Sequence, residues 1–287
     1  MDIILNTLIT LSALGVVLSV ILFVVPQKFK VVEDPRIDEV EAITPGANCG
    51  GCGYPGCRGF AEACVKAETL EGLFCPAGGN DVMKGIAEVL GMTAEEKEPQ
   101  IAVVRCNGSR DKRPKTSVYD GPLSCAIANT LYGGDTDCAY GCLGLGDCVE
   151  ACTFDAIYID EESGLPVVDE ENCTACGACV KACPKDIIEL RNKGKKSRRI
   201  YVSCVSHDKG APAKRACDSA CIACNKCVKV CPFDAIVVED FCAYIDFEKC
   251  KLCRKCVEEC PTGAILELNF PPRKAKVEKE ETSEVAN

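Results

Sequence analysis

The chain contains a single histidine, His207, among its 287 residues. One histidine cannot supply the two imidazoles of a Rieske centre, and it disfavours mixed Cys/His zinc fingers. The chain also has no Walker loop and no strand-glycine-helix dinucleotide fingerprint, because "GCLGLG" at Gly141 lies among cysteines. No catalytic triad or pair of carboxylates stands out. The sequence therefore offers no site for NAD or flavin and no acid-base or nucleophilic active site.

Cysteine is what the chain has in excess, with 26 residues. Many cysteines are only two residues apart and cannot all form disulfides without strain, so ligation of a metal by thiolates is the better explanation. The first group, in "ANCGGCGYPGC" and beyond, reads C-x2-C-x4-C-x17-C. It predicts one four-thiolate site formed by Cys49, Cys52, Cys57 and Cys75. Cys64 lies at helical spacing among apolar residues, which predicts a buried thiol.

Three later stretches read C-x2-C-x2-C-x3-C-P, the spacing of bacterial 4Fe-4S proteins. They are "CTACGACVKACP", "CIACNKCVKVCP" and "CKLCRKCVEECP", which begin at Cys173, Cys221 and Cys250. Zinc is the usual ligand of a lone C-x2-C, but three copies of the fuller spacing, each followed by proline, favour iron-sulfur clusters.

A fourth copy, "CAYGCLGLGDCVEAC" from Cys138, has Leu145 where the middle cysteine of the motif belongs. This copy and the stretch that begins at Cys217 both read C-x3-C-x5-C-x3-C. The alignment predicts that Cys138 replaces the missing thiolate. Thr153 stands where proline belongs, but "FDAI" follows in both copies, so Cys152 is kept as a predicted ligand.

The motifs form an internal repeat, residues 138–190 and 217–268, with β-rich runs after the cysteines. Each repeat resembles the two-cluster bacterial ferredoxin fold, in which the fourth cysteine of one motif binds the cluster of the other. With the N-terminal site, the resemblance implies five 4Fe-4S clusters. The four implied ferredoxin-type ligand sets are Cys138, Cys142, Cys148 and Cys183; Cys173, Cys176, Cys179 and Cys152; Cys221, Cys224, Cys227 and Cys260; and Cys250, Cys253, Cys256 and Cys231.

Five such clusters use 20 of the 26 cysteines. The remaining ones are Cys64, Cys106, Cys125, Cys204, Cys217 and Cys242. Several of them end strand-like runs such as "IAVVRC" and "IYVSC", and we interpret them as buried free thiols. An additional metal site built from some of them stays open as an alternative.

A charge-free run from Ile3 to Val25 is long enough, as a helix, to span roughly 30 Å of hydrocarbon. A membrane anchor is favoured over a signal peptide, because no basic region precedes the run and no small-x-small cleavage site follows it. Lys28 and Lys30 follow the run, which predicts a single pass through the cytoplasmic membrane with the rest of the chain on the cytoplasmic side. The span has no ionisable residue that could relay ions.

These observations predict an α+β chain with a transmembrane helix, a small 4Fe-4S domain and two ferredoxin-like modules. The predicted divisions are a membrane anchor at 1–27, an N-terminal 4Fe-4S domain at 28–92, a connector with a strand at 93–135, ferredoxin-like modules at 136–192 and 193–270, and a disordered tail at 271–287.

The order of anchor, "FKVVEDP", "PGANCGGCGYPGC", "CPAGG", "CAYGCLGLGDC" and ferredoxin motifs closely resembles the family of the B-type subunit of the Rnf complex. The resemblance covers nearly the whole chain. It implies an electron-transfer subunit of an ion-translocating ferredoxin:NAD oxidoreductase, with soluble ferredoxin, other Rnf subunits and the bilayer as partners. No nucleic acid and no direct binding of NAD or flavin are expected. The alternatives are a subunit of another membrane redox enzyme, linked to hydrogenase or a corrinoid protein, and a structural zinc protein.

The chain has a formal net charge of −10, yet "RNKGKKSRR", Arg191 to Arg199, holds six basic residues in nine. Such a run is either a solvated loop or a positive patch that steers an acidic partner. Because it joins the two modules, the sequence predicts that Lys193, Lys195, Lys196, Arg198 and Arg199 guide an acidic ferredoxin.

Overall fold

The computed structural model describes residues 2–28, 33–131 and 133–272. This part of the chain is α+β, which confirms the predicted fold class. The helices are α1 Asp2–Lys28, α2 Pro35–Ile43, α3 Gly56–Lys66, α4 Gly79–Leu90, α5 Cys125–Leu131, α6 Asp147–Glu150, α7 Ala178–Ala182, α8 Gly210–Ala216, α9 Lys226–Lys229 and α10 Lys255–Glu259. The strands are β1 Gln100–Val104, β2 Ile157–Ile159, β3 Pro166–Val168, β4 Ile188–Asn192, β5 Arg199–Val202, β6 Ile236–Glu239, β7 Cys242–Ile245 and β8 Ile265–Leu268. The predicted disorder of residues 273–287 lies outside the described residues.

Helix α1 carries the predicted membrane span. Residues Ile4–Val25 are apolar enough to cross a membrane by length and composition, and none of the most apolar window is buried against the rest of the chain. Its 22 residues extend about 33 Å as an α-helix, which matches the hydrocarbon thickness of a bilayer. Lys30, one of the two lysines that support the predicted orientation, lies outside the described residues.

The N-terminal domain is a small bundle of α2, α3 and α4. Asp34 caps α2 by accepting a hydrogen bond from the Arg36 backbone, and Pro35 occupies the first turn. Val40, Phe60, Cys64 and other apolar residues of the three helices form its core. The predicted burial of Cys64 is confirmed, because its side chain is fully buried on α3. The bundle leaves the cysteine-rich loop before α3 at its edge.

Each ferredoxin-like module has two antiparallel pairs of strands. In the first module β2 pairs with β3 and β1 pairs with β4; in the second β6 pairs with β7 and β5 pairs with β8. Equivalent backbone hydrogen bonds recur, since Arg105 donates to Ile187 at 2.6 Å and Ser203 donates to Ala264 at 2.7 Å. Strand β1, in the predicted connector, therefore belongs to the first module as β5 belongs to the second.

The basic run does not form one exposed positive loop. Arg191 and Arg199 lie in β4 and β5, are 1% and 5% exposed, and pair with Glu189 and Glu170. Only Lys195 and Lys196, with Gly194, are well exposed in the middle of the run. The predicted steering role is wrong for Arg199, because this side chain is buried and paired with Glu170.

Arg191 also joins the two modules through aromatic rings. Its guanidinium lies over Tyr244 at 5.1 Å, Phe247 at 5.6 Å and Tyr201 at 5.8 Å, all of which belong to the second module. Both terminal nitrogens of the guanidinium are buried without a hydrogen-bond partner. Glu189 therefore compensates the charge at Nε, while the two terminal nitrogens have the aromatic rings as their neighbours.

We predict that Arg191→Lys destabilises the contact between the modules, because lysine keeps the charge but cannot stack as a plane on three rings. The loss should be about 2 kcal/mol, which lowers the midpoint of thermal unfolding by several degrees, at about 2–4 °C per kcal/mol. Cluster absorbance during anaerobic heating measures it. Lys195→Ala, from the exposed centre of the same run, is the control and should leave the midpoint almost unchanged. An equal effect of the two variants would contradict the role of the stacked guanidinium.

Candidate iron-sulfur centres

All four ferredoxin-type motifs share one backbone conformation. The residues two and four positions after the first cysteine have φ in the left-handed region: Gly144 (71°) and Gly146 (93°), Ala175 (55°) and Gly177 (78°), Ala223 (51°) and Asn225 (58°), and Leu252 (58°) and Arg254 (67°). The altered copy thus keeps the loop although Leu145 replaces its middle cysteine. Left-handed residues turn the chain tightly, so that successive side chains and N–H groups face one centre.

Backbone N–H groups point at the sulfur atoms of these motifs. Ala243 donates to the Cys221 sulfur and Ala156 donates to the Cys152 sulfur, each at 3.4 Å. The N–H two residues after the first motif cysteine faces its sulfur at Cys142, Cys221 and Cys250. Hydrogen bonds from amides to ligand sulfurs are one means by which proteins tune iron-sulfur clusters.

Three cavities are each lined by four cysteines. The Cys173 site contains Cys173, Cys176, Cys179 and Cys152, and the Cys221 site contains Cys221, Cys224, Cys227 and Cys260. The Cys142 site contains Cys142, Cys148, Cys183 and Cys125. In each cavity a cysteine from the other motif of the module completes the set, which is the crossed arrangement that the resemblance to ferredoxins implies.

The other two predicted sets also converge. Burial and the charges of neighbouring thiols raise the pKa of Cys75, and those neighbours are Cys52, Cys57 and Cys49. Likewise burial, followed by the charges of Cys250, Cys253 and Cys231, raises the pKa of Cys256 to about 12. We name these groups the N-terminal site and the Cys250 site. Thiols held this close in the apoprotein lose their protons when they bind a metal.

Neighbouring sites lie against one another. A Cβ on Gly51, in the N-terminal site loop, would come within 2.8 Å of the Cys176 carbonyl oxygen, so the two loops pack backbone to backbone. The pKa of Cys179, raised to about 12 chiefly by burial, is also raised by Cys148 of the Cys142 site. In the second module, Cys227 contributes to the raised pKa of Cys256. The sites therefore form successive neighbours along the protein.

The structure does not place Cys138 in the cavity of the Cys142 site, whose fourth cysteine is Cys125. Cys125 is the first residue of α5, and the Asp147 carboxylate accepts its N–H at 2.6 Å. Cys125 is 22 residues from Asp147 along the chain, so no motif spacing indicated it. Leu145 was the signal in the sequence that a ligand comes from outside the motif, because a loop that lacks its middle thiolate needs a fourth ligand from another segment.

The donor sets fit clusters better than single ions. Each set supplies four thiolates and no imidazole, a donor set that suits Zn²⁺ or an iron-sulfur cluster. Within the described part of the chain, no group of three or more His, Cys, Asp or Glu residues is placed to hold one metal ion. The only histidine packs edge-on against Tyr140, and its ring nitrogen lies 3.1 Å from the Asp240 carbonyl oxygen.

Comparisons with known proteins agree with this description. A family model described as "4Fe-4S dicluster domain" matches residues 137–187, "4Fe-4S binding domain" matches 218–237 and 243–266, and a model for an Fe-S cluster matches 45–72. The B-type subunit of the Na(+)-translocating ferredoxin:NAD(+) oxidoreductase complex of Acetobacterium woodii is 43% identical over 84% of this chain and 71% of its own length. The B-type subunit of the ion-translocating oxidoreductase complex of Methanosarcina acetivorans is 41% identical, covering 87% and 92%. The corresponding subunit of the proton-translocating ferredoxin:NAD(+) oxidoreductase complex of Clostridium ljungdahlii is 39% identical, covering 87% of both chains.

Crossed ligation predicts that Cys183→Ala removes the cluster of the Cys142 site and not that of the Cys173 site. Iron per chain should fall by about four atoms, the content of one cluster. The difference between wild-type and variant electron paramagnetic resonance spectra identifies the lost cluster. That difference should match the one given by Cys148→Ala. A match to Cys179→Ala instead would mean that each motif binds its own cluster, and Cys64→Ala serves as a control that should lose no iron.

Proposed function

Because the chain belongs to the family of the B-type subunit of the Rnf complex, we propose that it carries electrons one at a time between ferredoxin and the other subunits of an ion-translocating complex. The chain is an iron-sulfur electron-transfer subunit of an oxidoreductase with translocase function. The further steps proposed are the ligand sets, the donor and its docking surface, and the side of the membrane. NAD and flavin chemistry and ion translocation are assigned to other subunits.

The observation that carries this proposal is the succession of adjacent four-cysteine sites. The five four-cysteine sites would hold five 4Fe-4S clusters, each of which supplies one-electron redox chemistry when bound. The protein's own contribution is to position the sulfur atoms, direct N–H groups at them and exclude water. The contact of Gly51 with Cys176 supports electron exchange between the N-terminal domain and the first module.

We place the soluble part of the chain on the cytoplasmic side of the membrane. The support is the pair Lys28 and Lys30 after the apolar span, since positive charges next to a span stay in the cytoplasm. A reporter enzyme fused after Asn287 tests this placement. It should be active only in the cytoplasm, and activity on the outer side of the membrane would overturn the assignment.

The second module supplies the best surface for a ferredoxin. Cys224 and Cys253, the middle cysteines of its two motifs, are the only exposed cysteines in the described part of the chain. Electron transfer needs a short path, so a donor should dock where ligands approach the surface. Exposed lysines lie within five residues of these two cysteines in the sequence: Lys226, Lys229, Lys251 and Lys255. In a chain with net charge −10, this local positive surface favours an acidic donor.

We predict that changing Lys226, Lys251 and Lys255 together to glutamine slows reduction of the clusters by an acidic ferredoxin. Loss of steering should reduce the rate at low salt by about tenfold and flatten its dependence on ionic strength. Stopped-flow bleaching of the anaerobically purified chain measures the rate. A small neutral reductant should still reduce the variant at the wild-type rate.

The matched comparison is Lys195→Gln with Lys196→Gln, which removes the exposed charges of the basic run between β4 and β5. If that variant alone slows reduction by ferredoxin, the donor docks between the modules and not at Cys224 and Cys253. If ferredoxin reduces no cluster in the wild-type chain while a small reductant does, the proposed donor is wrong.

A further inference from the structure

Four cysteines outside the accepted motif pattern come together where the two modules meet. Cys106 follows β1 and Cys204 follows β5, each two residues past the strand that completes its module. Cys138 and Cys217 each lie in a C-x3-C arrangement just before the first motif cysteine of their module. The four residues are therefore two equivalent pairs, Cys106 with Cys138 beside the first module and Cys204 with Cys217 beside the second.

Proximity follows from contacts within this group. Cys106 and Cys204 both raise the pKa of Cys138, although burial is the larger cause. Cys204 packs against the small buried cluster that contains Cys217. A Cβ on Gly108 would lie 3.3 Å from the Cys217 sulfur, which brings Cys217 to the segment that carries Cys106. The pairs from the two modules thus face each other.

Hydrogen bonds hold the segments of the two modules together at this point. The Asn107 N–H donates to the Ser203 carbonyl at 3.1 Å. The Ser219 hydroxyl donates to the Asn107 carbonyl at 2.8 Å, and the Asp218 N–H donates to the Lys112 carbonyl at 2.9 Å. The backbone beside Cys106, Cys204 and Cys217 is therefore fixed from both sides.

The surroundings of these sulfurs match those of the motif cysteines. The N–H two residues later faces the sulfur at Cys106 and Cys138, and the Ser206 N–H donates to the Cys204 sulfur at 3.5 Å. The Ser219 hydroxyl lies 3.4 Å from the Cys217 sulfur. The same turn occurs at the first motif cysteine of three motifs, where it presents a donor to a predicted ligand sulfur.

A cation lies beside the four cysteines. The Arg113 side chain lies against both Gly108 and Gly141, and a Cβ on Gly141 would collide with its guanidinium. Its Nη2 donates to the Cys142 carbonyl at 2.5 Å. Its Nε is buried with no hydrogen-bond partner. This guanidinium, which lies beside Cys106 and Cys138, would compensate the negative charge of a thiolate-bound cluster.

Cys125 explains how Cys138 is released for this group. Burial raises the pKa of Cys125, while the N–H groups of Asp147, Leu145 and Gly146 lower it, so its sulfur faces the backbone of the altered motif. This backbone includes Leu145, the residue that stands where the motif lacks its middle cysteine. Cys125 therefore completes the Cys142 site from outside the motif, and Cys138 is free to bind elsewhere.

We propose that Cys106, Cys138, Cys204 and Cys217 hold a sixth 4Fe-4S cluster between the two modules, and that Cys125 is the fourth ligand of the Cys142 site. The second half of this assignment replaces Cys138 in the ligand set predicted from the sequence. The proposal rests on the proposed iron-sulfur relay and adds one centre to it. Cys64 and Cys242 are then the only cysteines without a cluster.

The position of this centre explains how electrons pass between modules. On one side, Cys106 lies close enough to raise the pKa of Cys142, after burial as the larger cause. On the other side, Cys204 lies next to Cys221. One electron would arrive from a reduced cluster in one module and leave to an oxidised cluster in the other, with no bond formed or broken. With this cluster, the series of neighbouring clusters continues across the contact between the two modules.

The first test is the iron and sulfide content of the full chain purified without oxygen. Six clusters require about 24 irons and about 24 sulfides per chain, whereas five clusters require about 20 of each. Cys204→Ala and Cys217→Ala should each lose about four irons, and the double variant should lose no more than either single variant. Cys64→Ala is the control, because its buried thiol belongs to the core of the N-terminal bundle and not to the junction between the modules.

The second test separates the two ligand assignments. Difference spectra in electron paramagnetic resonance should pair Cys138→Ala with Cys217→Ala, and Cys125→Ala with Cys148→Ala. Pairing of Cys138→Ala with Cys148→Ala would overturn the proposal. So would a wild-type chain with about 20 irons, a measurement that does not depend on any variant folding, or about one zinc per chain in place of the additional cluster. In these cases ferredoxin would still reduce the other clusters, whereas a chain without sulfide would also refute the relay.

Discussion

Four sulfur atoms from separate segments must meet around one buried point, and this requirement recurs at every site of the protein. The elements between the cysteines are too small to reach that arrangement by themselves. Helices α6, α7, α9 and α10 have four or five residues, and each sheet has two strands. Isolated pieces of this size are marginal in water. Metal binding therefore contributes directly to folding, and the cysteines form much of the core.

The loop geometry depends more on backbone conformation than on any one side chain. Left-handed residues at equivalent positions turn each motif so that thiolates and N–H groups face inward. The altered motif keeps this turn with glycines at both positions, although Leu145 has no thiol. Since the loop survives without its middle ligand, a cysteine on a neighbouring helix can supply the missing sulfur. The backbone conformation of a site therefore does not depend on which segment of the chain supplies each ligand.

Short sequence patterns predicted the fold well. The prediction failed where residues far apart in the sequence come into contact. Motif spacing indicated the α+β modules and the β-rich runs, because ligands two or three residues apart leave a signature in the sequence. Cys125 and Cys106 carry no such signature, since tertiary contacts bring them to their neighbours. Counting charges along the run failed at Arg191 and Arg199, because both side chains are buried and paired with carboxylates that lie outside the run, Glu189 on the same strand as Arg191 and Glu170 on a distant segment. The position of Cys106 and Cys204 after equivalent strands was a visible hint, but it becomes meaningful only when the strands are paired.

The pairing of equivalent cysteines across the two modules bears on how such a chain is built and matures. One module alone carries only half of the thiols at the junction, so this group of four cysteines exists only where the two modules meet. During maturation, that position exists only after both modules have folded and docked through contacts such as the one between Asn107 and Ser203. A cluster could be inserted at the junction only after both modules have docked, so a half-folded chain would not acquire it. Loading of this cluster would therefore distinguish chains in which both modules, and with them the complete series of clusters, are assembled.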